Sequence, residues 1–370
     1  MNHHRVSARK LWKKRARSRK GGIMAATVKD IAARAGCGVA TVSSYLNGGN
    51  VRPKNRAKIE AAIGELHYEV NETARQLKTN RTKMIGAVIP ELNSTFCARV
   101  LSEIEDILRQ HGYAMLVCDC RTDSAREKEA VDFLLKRRVD GLVVLPVDAT
   151  GNNLRKFIRT EKPVVLIDRQ IEGLDVDSVC VDNRAAIGSA VDLLVQKGHT
   201  HIGMIAGPEE INAARQRMKG YREACERNGI VCAEDYIFHG DDSIESGTRG
   251  IETLRSMHPE MTAVVISNYR MTMGAMIGAN ESGIEIPRQL SVVGFDNPQF
   301  ARAVHPRLTI INQPVDEIGE KAAEIMLQRL GEIGDTEDDE SEPAARRHIW
   351  LGTTILNGKS VLDLNDTGRR

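Results

Sequence analysis

Residues 27–47 read TVKDIAARAGCGVATVSSYLN. Thr27, with Asp30 three positions on, has the spacing of a capping box, although glutamate is commoner than aspartate at its end. The helix it opens, Val28–Ala35, puts Val28, Ile31, Ala32 and Ala35 on one face. Gly36 stops it, because glycine enters the left-handed region without a Cβ clash. A second helix, Val39–Leu46, ends at Asn47-Gly48-Gly49, and Pro53 suits the first turn of a third. In that third helix Ile59, Ala62, Ile63 and Leu66 recur at helical spacing. Two helices joined by a tight turn, with Thr41, Ser43 and Ser44 on the second, read as a helix-turn-helix whose hydroxyls can meet phosphates and base edges. A helical hairpin inside any core gives a similar pattern, so the charge around it matters.

That charge is uneven. The 370 residues carry a net +2, yet residues 1–24 hold nine Lys/Arg and no acid. Residues 25–83 hold ten bases against five acids, and the remainder is net −12. A basic start on an acidic body points to a polyanion partner for the N-terminal fifth alone. Residues 1–24 read either as a disordered basic arm or as a mis-called start, since Met24 opens a more ordinary one. Gly21-Gly22 follows the bases where a secretion signal would have an apolar core, so a cytoplasmic protein is expected. The seven cysteines are odd in number and contain no CxxC pair, and they read as reduced thiols. No apolar run approaches the roughly 18 residues of a membrane span.

Residues 71–79 have too little apolar surface to fold alone and read as a linker that turns helical when held. From Met84 the texture changes. Short apolar runs, 85–89, 114–118, 141–145, 164–167, 202–205, 263–266 and 291–295, alternate with amphipathic helices. Such alternation predicts α/β architecture with parallel sheets covered on both faces, and its count predicts two similar lobes. A late helix, Val315–Leu330, precedes an acidic patch, 332–342, that reads as a solvated loop; a last strand spans 348–353.

The words VKDIAARAG, VATVS, YLNG and NETARQLKT, followed in order by HGYAMLVCD, RRVDGLVVLP, VVLIDR, VDNRAA, KGHTHIGMIAG, RMKGYREA, SVVGFD and LTIINQP, resemble the successive motifs of the LacI/GalR family of bacterial transcription regulators. The resemblance covers about residues 25–358. It implies a helix-turn-helix headpiece (25–70), a hinge helix (71–83) and a two-lobed core like periplasmic binding proteins (84–358), with a tail at 359–370. Lobe 1 is expected at about 84–181 and 313–345, lobe 2 at 182–312 and 346–358. It also implies a homodimer on a pseudo-palindromic double-stranded operator. Base reading carries over to Val39, Ala40 and Ser44, and phosphate contact or capping to Thr27, Thr41, Ser43 and Asn47. In the hinge Asn71, Ala74 and Leu77 match, with paired leucines wedged into the minor groove. An apolar wedge there unstacks a base step and kinks the duplex.

Two departures bear on the operator. Gly38 stands where the family usually has serine, and Ser44 where many members have arginine, the best reader of guanine. Tyr45 is also unusual and reads as packing or as a new contact. Arg52 and Arg56 offset part of the lost phosphate affinity.

For the core, parallel strands predict a cleft at their C-terminal ends. Asp168, Asn268 and Asp296 each follow a strand, Arg217 precedes the Gly220-Tyr221 turn of a helix, and the family's effector site maps onto these with Gln313 at the lobe crossover. Phe96 and Cys97 match a pair that is often aromatic, and Tyr269 replaces a usual aspartate. The expected effector is a small molecule, a sugar or a sugar acid, with helix capping or a cross-cleft salt bridge the competing role for Asp168 and Asp296. Asp182 and Asn183 read as caps.

An enzyme is the competing class. No GxGxxG follows the first strand, and no P-loop or GxSxG occurs. His199 and His201 form an HxH without carboxylate or cysteine partners, read as an exposed turn rather than a metal site. No catalytic residue, metal or cofactor is expected. The reading is a ligand-controlled DNA-binding regulator, in the repressor sense or with a corepressor that strengthens binding.

Overall fold

A computed structural model describes residues 26–46, 48–68, 81–333 and 345–369. They form two units that divide between Arg81 and Thr82. The arm 1–24, Asn47, the hinge residues Asn71, Ala74 and Leu77, and most of the acidic patch lie outside the described residues.

The first unit is three helices, α1 (Val28–Ala35), α2 (Val39–Leu46) and α3 (Pro53–Leu66). The capping box is formed. Thr27 N donates to Asp30 Oδ2 at 2.8 Å, and Asp30 N donates to Thr27 Oγ1 at 3.4 Å. Gly36 ends α1 at φ +63°, which a residue with a Cβ would adopt only under strain. Ile31, Ala32, Ala35, Val42, Val51, Ile59 and Ala62 make the core, with Val28, Ile63 and Leu66 packed at its edge. The small alanines of α1 permit close approach of the other two helices.

The second unit has two six-stranded sheets. Its elements are β1 (Met84–Ile89), α4 (Thr95–Gln110), β2 (Ala114–Asp119), α5 (Ser124–Lys136), β3 (Gly141–Val144), α6 (Arg155–Ile158), β4 (Val164–Ile167), β5 (Asp177–Val181), α7 (Asn183–Gln196), β6 (Ile202–Ala206), α8 (Asn212–Asn228), β7 (Ile237–His239), α9 (Ile244–Met257), β8 (Ala263–Ile266), α10 (Tyr269–Glu281), β9 (Ser291–Phe295), α11 (Pro298–Ala303), β10 (Thr309–Asn312), α12 (Val315–Arg329), β11 (His348–Leu351) and β12 (Thr354–Leu356). The first sheet runs β11-β5-β4-β3-β1-β2, all parallel. The second runs β12-β10-β9-β8-β6-β7, parallel except for the antiparallel β10–β12 pair. The central strands are buried from end to end, as helices on both faces require. Two apolar clusters flank each sheet.

The chain changes lobe three times, after β5, after β10 and after β11. The last crossing corrects an expectation. His348–Leu351, expected in lobe 2, pairs with β5 in lobe 1. Fully buried Asp177 on β5 accepts from Arg347 N at 2.9 Å and pairs with Arg329 of α12 at 2.8 Å, which fixes the returning chain there. The strand read over 348–353 ends at Leu351, and after Gly352-Thr353 a separate strand, Thr354–Leu356, joins the other sheet. The tail is part of lobe 2: buried Ser360 donates to Val292 O at 2.6 Å and accepts from Thr309 N at 2.8 Å. Glu332, at the start of the expected solvated patch, is anchored by Lys83 at 2.8 Å and the Tyr113 hydroxyl at 3.0 Å.

His199 is also not on an exposed turn. It is buried, with Nδ1 at 2.8 Å from Thr262 Oγ1 and Nε2 at 3.1 Å from Leu362 O, so it ties the tail to lobe 2. Burial of the ring holds its pKa below the ordinary value. Among the described residues no three His, Cys, Asp or Glu gather as a metal would need, and no helix is long and apolar enough to cross a membrane.

Candidate functional site

In the first unit, α2 turns one side into the core through Val42, while Val39 and Ala40 are exposed at its start. Thr41, Ser43 and Ser44 are half-buried along the same helix. An exposed helix start with small side chains is the geometry in which a helix enters a major groove. The Thr27 hydroxyl donates to Asp30 at 2.7 Å, so its first role is the cap. Tyr45 is a packing residue. Its ring lies against the helical core, its hydroxyl donates to Glu60 Oε1 at 2.9 Å, and the Arg56 guanidinium sits 5.8 Å from the ring centre. Arg52, Lys54, Arg56 and Lys58 are exposed at the start of α3. Gly38 supplies only its carbonyl to α2, accepting from Thr41 N at 3.0 Å and Val42 N at 3.1 Å.

In the second unit, a cleft of about 500 Å³ opens between the lobes at the C-terminal ends of both sheets. Phe96, Asp168, Arg217, Asn268, Asp296 and Gln313 all line it. Six residues scattered over more than 200 positions meet there because five follow a parallel strand or start a helix at that edge, while Arg217 reaches it from the second turn of α8.

Arg217 is buried in α8. Its Nε donates to Asn183 Oδ1 and its Nη1 to Ser267 O, both at 2.7 Å, and its guanidinium lies 4.0 Å from the Phe295 ring centre. Asn183, expected as a cap, instead orients this arginine, while Asp182 caps α7 by accepting from Ala185 N at 2.9 Å. Burial lowers the Arg217 pKa, against the opposing pull of Asp168, Asp296 and Asp242.

Asp296 has φ +58° at the end of β9, and Asp168 has φ +67° at the end of β4. Left-handed aspartates after strands turn the chain sharply and leave the carboxylate at the sheet edge. Neither caps a helix: Asn297 caps α11, accepting from Phe300 N at 2.9 Å. Asp296 accepts from Gln313 N at 3.2 Å and from Gln313 Nε2. Burial pushes its pKa up to about 6, with Gln313 and Arg217 opposing. Asn268 caps α10 through Met271 N at 2.8 Å and donates its amide to Asp242.

Sequence reasoning missed three groups. Asp242 lines the cleft at φ +63°, and burial raises its pKa, with Arg217 and Arg169 opposing. It follows β7, a three-residue strand with too short an apolar run to recognise. Arg169 also lines the cleft, 3.6 Å from Asp168, with Nη1 on Pro146 O at 3.1 Å. The third is a pair across the mouth: Arg270 of lobe 2 reaches both Glu91 oxygens of lobe 1 at 2.9 and 2.8 Å. Cys97 also lines the cleft but is buried, and burial pushes its thiol up to about 11, which leaves it unreactive. Tyr269 lies in the cleft edge-on to Phe300, ring centres 5.7 Å apart.

Residues 27–71 match the family described as bacterial regulatory proteins, lacI family. Residues 82–348 match periplasmic binding proteins and sugar binding domain of LacI family. The HTH-type transcriptional repressor CytR of Escherichia coli (strain K12) is 33% identical over 83% of this chain and 90% of its own. The lac repressor dimer bound to operator and the anti-inducer ONPF superposes with TM-score 0.78 at 28% identity, over 91% of this chain and 99% of that one. A complex of the transcriptional regulator CelR with cellobiose gives 0.67 at 26%, over 90% and 99%. The chain belongs to the lacI family of bacterial regulatory proteins, and it is a DNA-binding transcriptional regulator with an effector-binding core.

Proposed function

We propose that this regulator is a homodimeric repressor whose grip on a pseudo-palindromic operator is set by a sugar-sized polyhydroxylated effector in the interlobe cleft. The observation that carries the reading is the convergence of Asp168, Arg217, Asn268, Asp296 and Gln313 on one cleft, in a chain whose headpiece presents an exposed helix start. Carboxylate and guanidinium side by side suit hydroxyl groups, which both donate and accept. Phe96 and Tyr269 add apolar faces for a ring.

In this reading Val39, Ala40 and Ser44 read base edges, while Thr41, Ser43, Asn47 and Arg52 hold phosphates. Asn71, Ala74 and Leu77 order on DNA, so binding and hinge folding are coupled. The effector acts by population shift. It favours one arrangement of the lobes, and the two hinges of the dimer then lose or gain the spacing at which both leucines enter the minor groove. The relatives being regulators, the cleft serves binding and not turnover, and the protein works in the cytoplasm on the bacterial nucleoid.

The test is an operator titration by fluorescence anisotropy, with and without the small-molecule fraction of a cell extract. A weakened complex for the wild type but not for Arg217→Ala supports the reading. Equal affinity in all four titrations refutes it, and a strengthened complex for the wild type alone would reverse the sign of regulation.

A further inference from the structure

The interior of the cleft carries an unbalanced charge. Five ionisable side chains, Asp168, Asp242, Asp296, Arg169 and Arg217, lie close enough to act on one another electrostatically. Three are acidic and two basic. The rim does not correct this, because its charges are already matched: Glu91 with Arg270, Arg99 with Asp316 at 2.7 Å, and Asp241 with Arg249 at 3.8 Å. With all five ionised, the interior therefore holds one negative charge in excess.

Both guanidiniums are partly spent on the protein. Arg217 gives Nε and Nη1 to Asn183 and Ser267, and Arg169 gives Nη1 to Pro146. The carboxylates keep acceptors in reserve. Among the described residues, Asp242 engages one oxygen, with Asn268, and Asp168 has only its 3.6 Å approach to Arg169.

A separate observation points the same way. Gln313 lines the cleft, is only 4% exposed, and its Oε1 has no hydrogen-bond partner. Its orientation is set by Asp296, which accepts from Nε2 and N and so keeps the oxygen on the other side. A buried acceptor without a donor costs about 1–3 kcal/mol, a cost a donating ligand removes. Among the described residues Arg169 Nε is the one buried side-chain donor without a hydrogen bond, since Asp168 Oδ2 lies 3.6 Å from it, and a hydroxyl oxygen answers it.

We infer that the effector is an amine-bearing polyol of sugar size, its ammonium group received by Asp242 and Asp168 and its hydroxyls by Arg169, Arg217 and Gln313. A sugar acid would add a second negative charge to an interior already in excess. The inference rests on the cleft being the effector site.

The test is isothermal titration calorimetry of the full chain at pH 7.0, without DNA, using glucosamine, glucose and glucuronate, which share a ring and differ in charge. Glucosamine is expected to bind at least tenfold tighter than glucose, and glucuronate not at all. Asp242→Asn is expected to bring the ratio of glucosamine to glucose affinity down to about one. Asparagine tolerates the φ of +63° there, so the variant keeps its backbone. The inference is overturned by glucuronate binding tightest, by an unchanged ranking in Asp242→Asn, or by no heat from any of the three. An operator complex that ignores every ligand would bring down the regulatory reading instead, and leaves the charge ranking as it stands.

Discussion

Asp296→Asn is expected to stabilise the core at neutral pH, and most of that gain is expected to disappear in acid. The carboxyl has a pKa of about 6 in the folded chain against the ordinary 3.8, with burial as the main cause. Because the folded value is the higher one, the native state holds the proton more tightly than the unfolded chain does. Well below pH 4 both states are protonated and the group contributes nothing. Between pH 4 and 6 the unfolded chain ionises first, so stability falls as pH rises; above 6 the full cost of a desolvated carboxylate is present. A gap of about two pH units corresponds to about 3 kcal/mol. Water reaches this residue through the cleft, so about half of that, 1–2 kcal/mol, is the expected gain at pH 7.5. Asparagine leaves the number of orphans unchanged: its oxygen accepts from Gln313 N, and Gln313 turns its amide so that Oε1 accepts from the new Nδ2, which leaves Nε2 in place of Oε1 as the buried atom without a partner. Thermal unfolding followed by circular dichroism measures it. At about 2–4 °C per kcal/mol, the midpoint is expected to rise by roughly 2–8 °C at pH 7.5. At pH 4.5 about a third of the gain should remain. An equal rise at both pH values, or a fall at pH 7.5, would refute the assignment of a strained carboxylate.

Four further outcomes are expected. Leu77→Ala should lose specific operator binding yet keep salt-sensitive non-specific binding in anisotropy titrations, and equal loss of both would remove the wedge. Deleting residues 1–23 should leave the selected operator sequence unchanged; a changed consensus would show that the arm reads bases. The Glu91–Arg270 pair joins the two lobes with both side chains partly exposed, so a double-mutant cycle with Glu91→Gln and Arg270→Met should give a coupling of about 0.2–1 kcal/mol in thermal unfolding, and zero coupling would mean that the pair does not hold the lobes together. Arg217→Ala should abolish the effector response and spare DNA binding, and an unchanged response would take Arg217 out of the site.

The sequence was most legible where chemistry is local. The Thr27–Asp30 box, the Gly36 stop and the Pro53 start each act within four residues, and each is present as read. Long β-branched runs such as Val164–Ile167 declare buried strands in the same way. What escaped depends on distant partners. Asp177–Val181 begins with a buried aspartate held by Arg329, more than 150 positions away, and β7 and β12 have three residues each. The six residues marked for the effector share one cleft, because strand ends are legible. Asp242 was lost together with its strand, and Asn183 was read as a cap because nothing local ties it to Arg217. Tyr45 could be settled only with Glu60 in place.

Everything proposed for this protein depends on sequence-specific DNA binding by a ligand-responsive dimer. It is tested most directly by selecting bound fragments from the source genome with the purified full chain at about 0.15 M salt, where phosphate-only binding is weakened. The expected result is enrichment of a pseudo-palindrome with an easily kinked central step, lost in Leu77→Ala. Fragments without a common sequence, or a single half-site without symmetry, would contradict it.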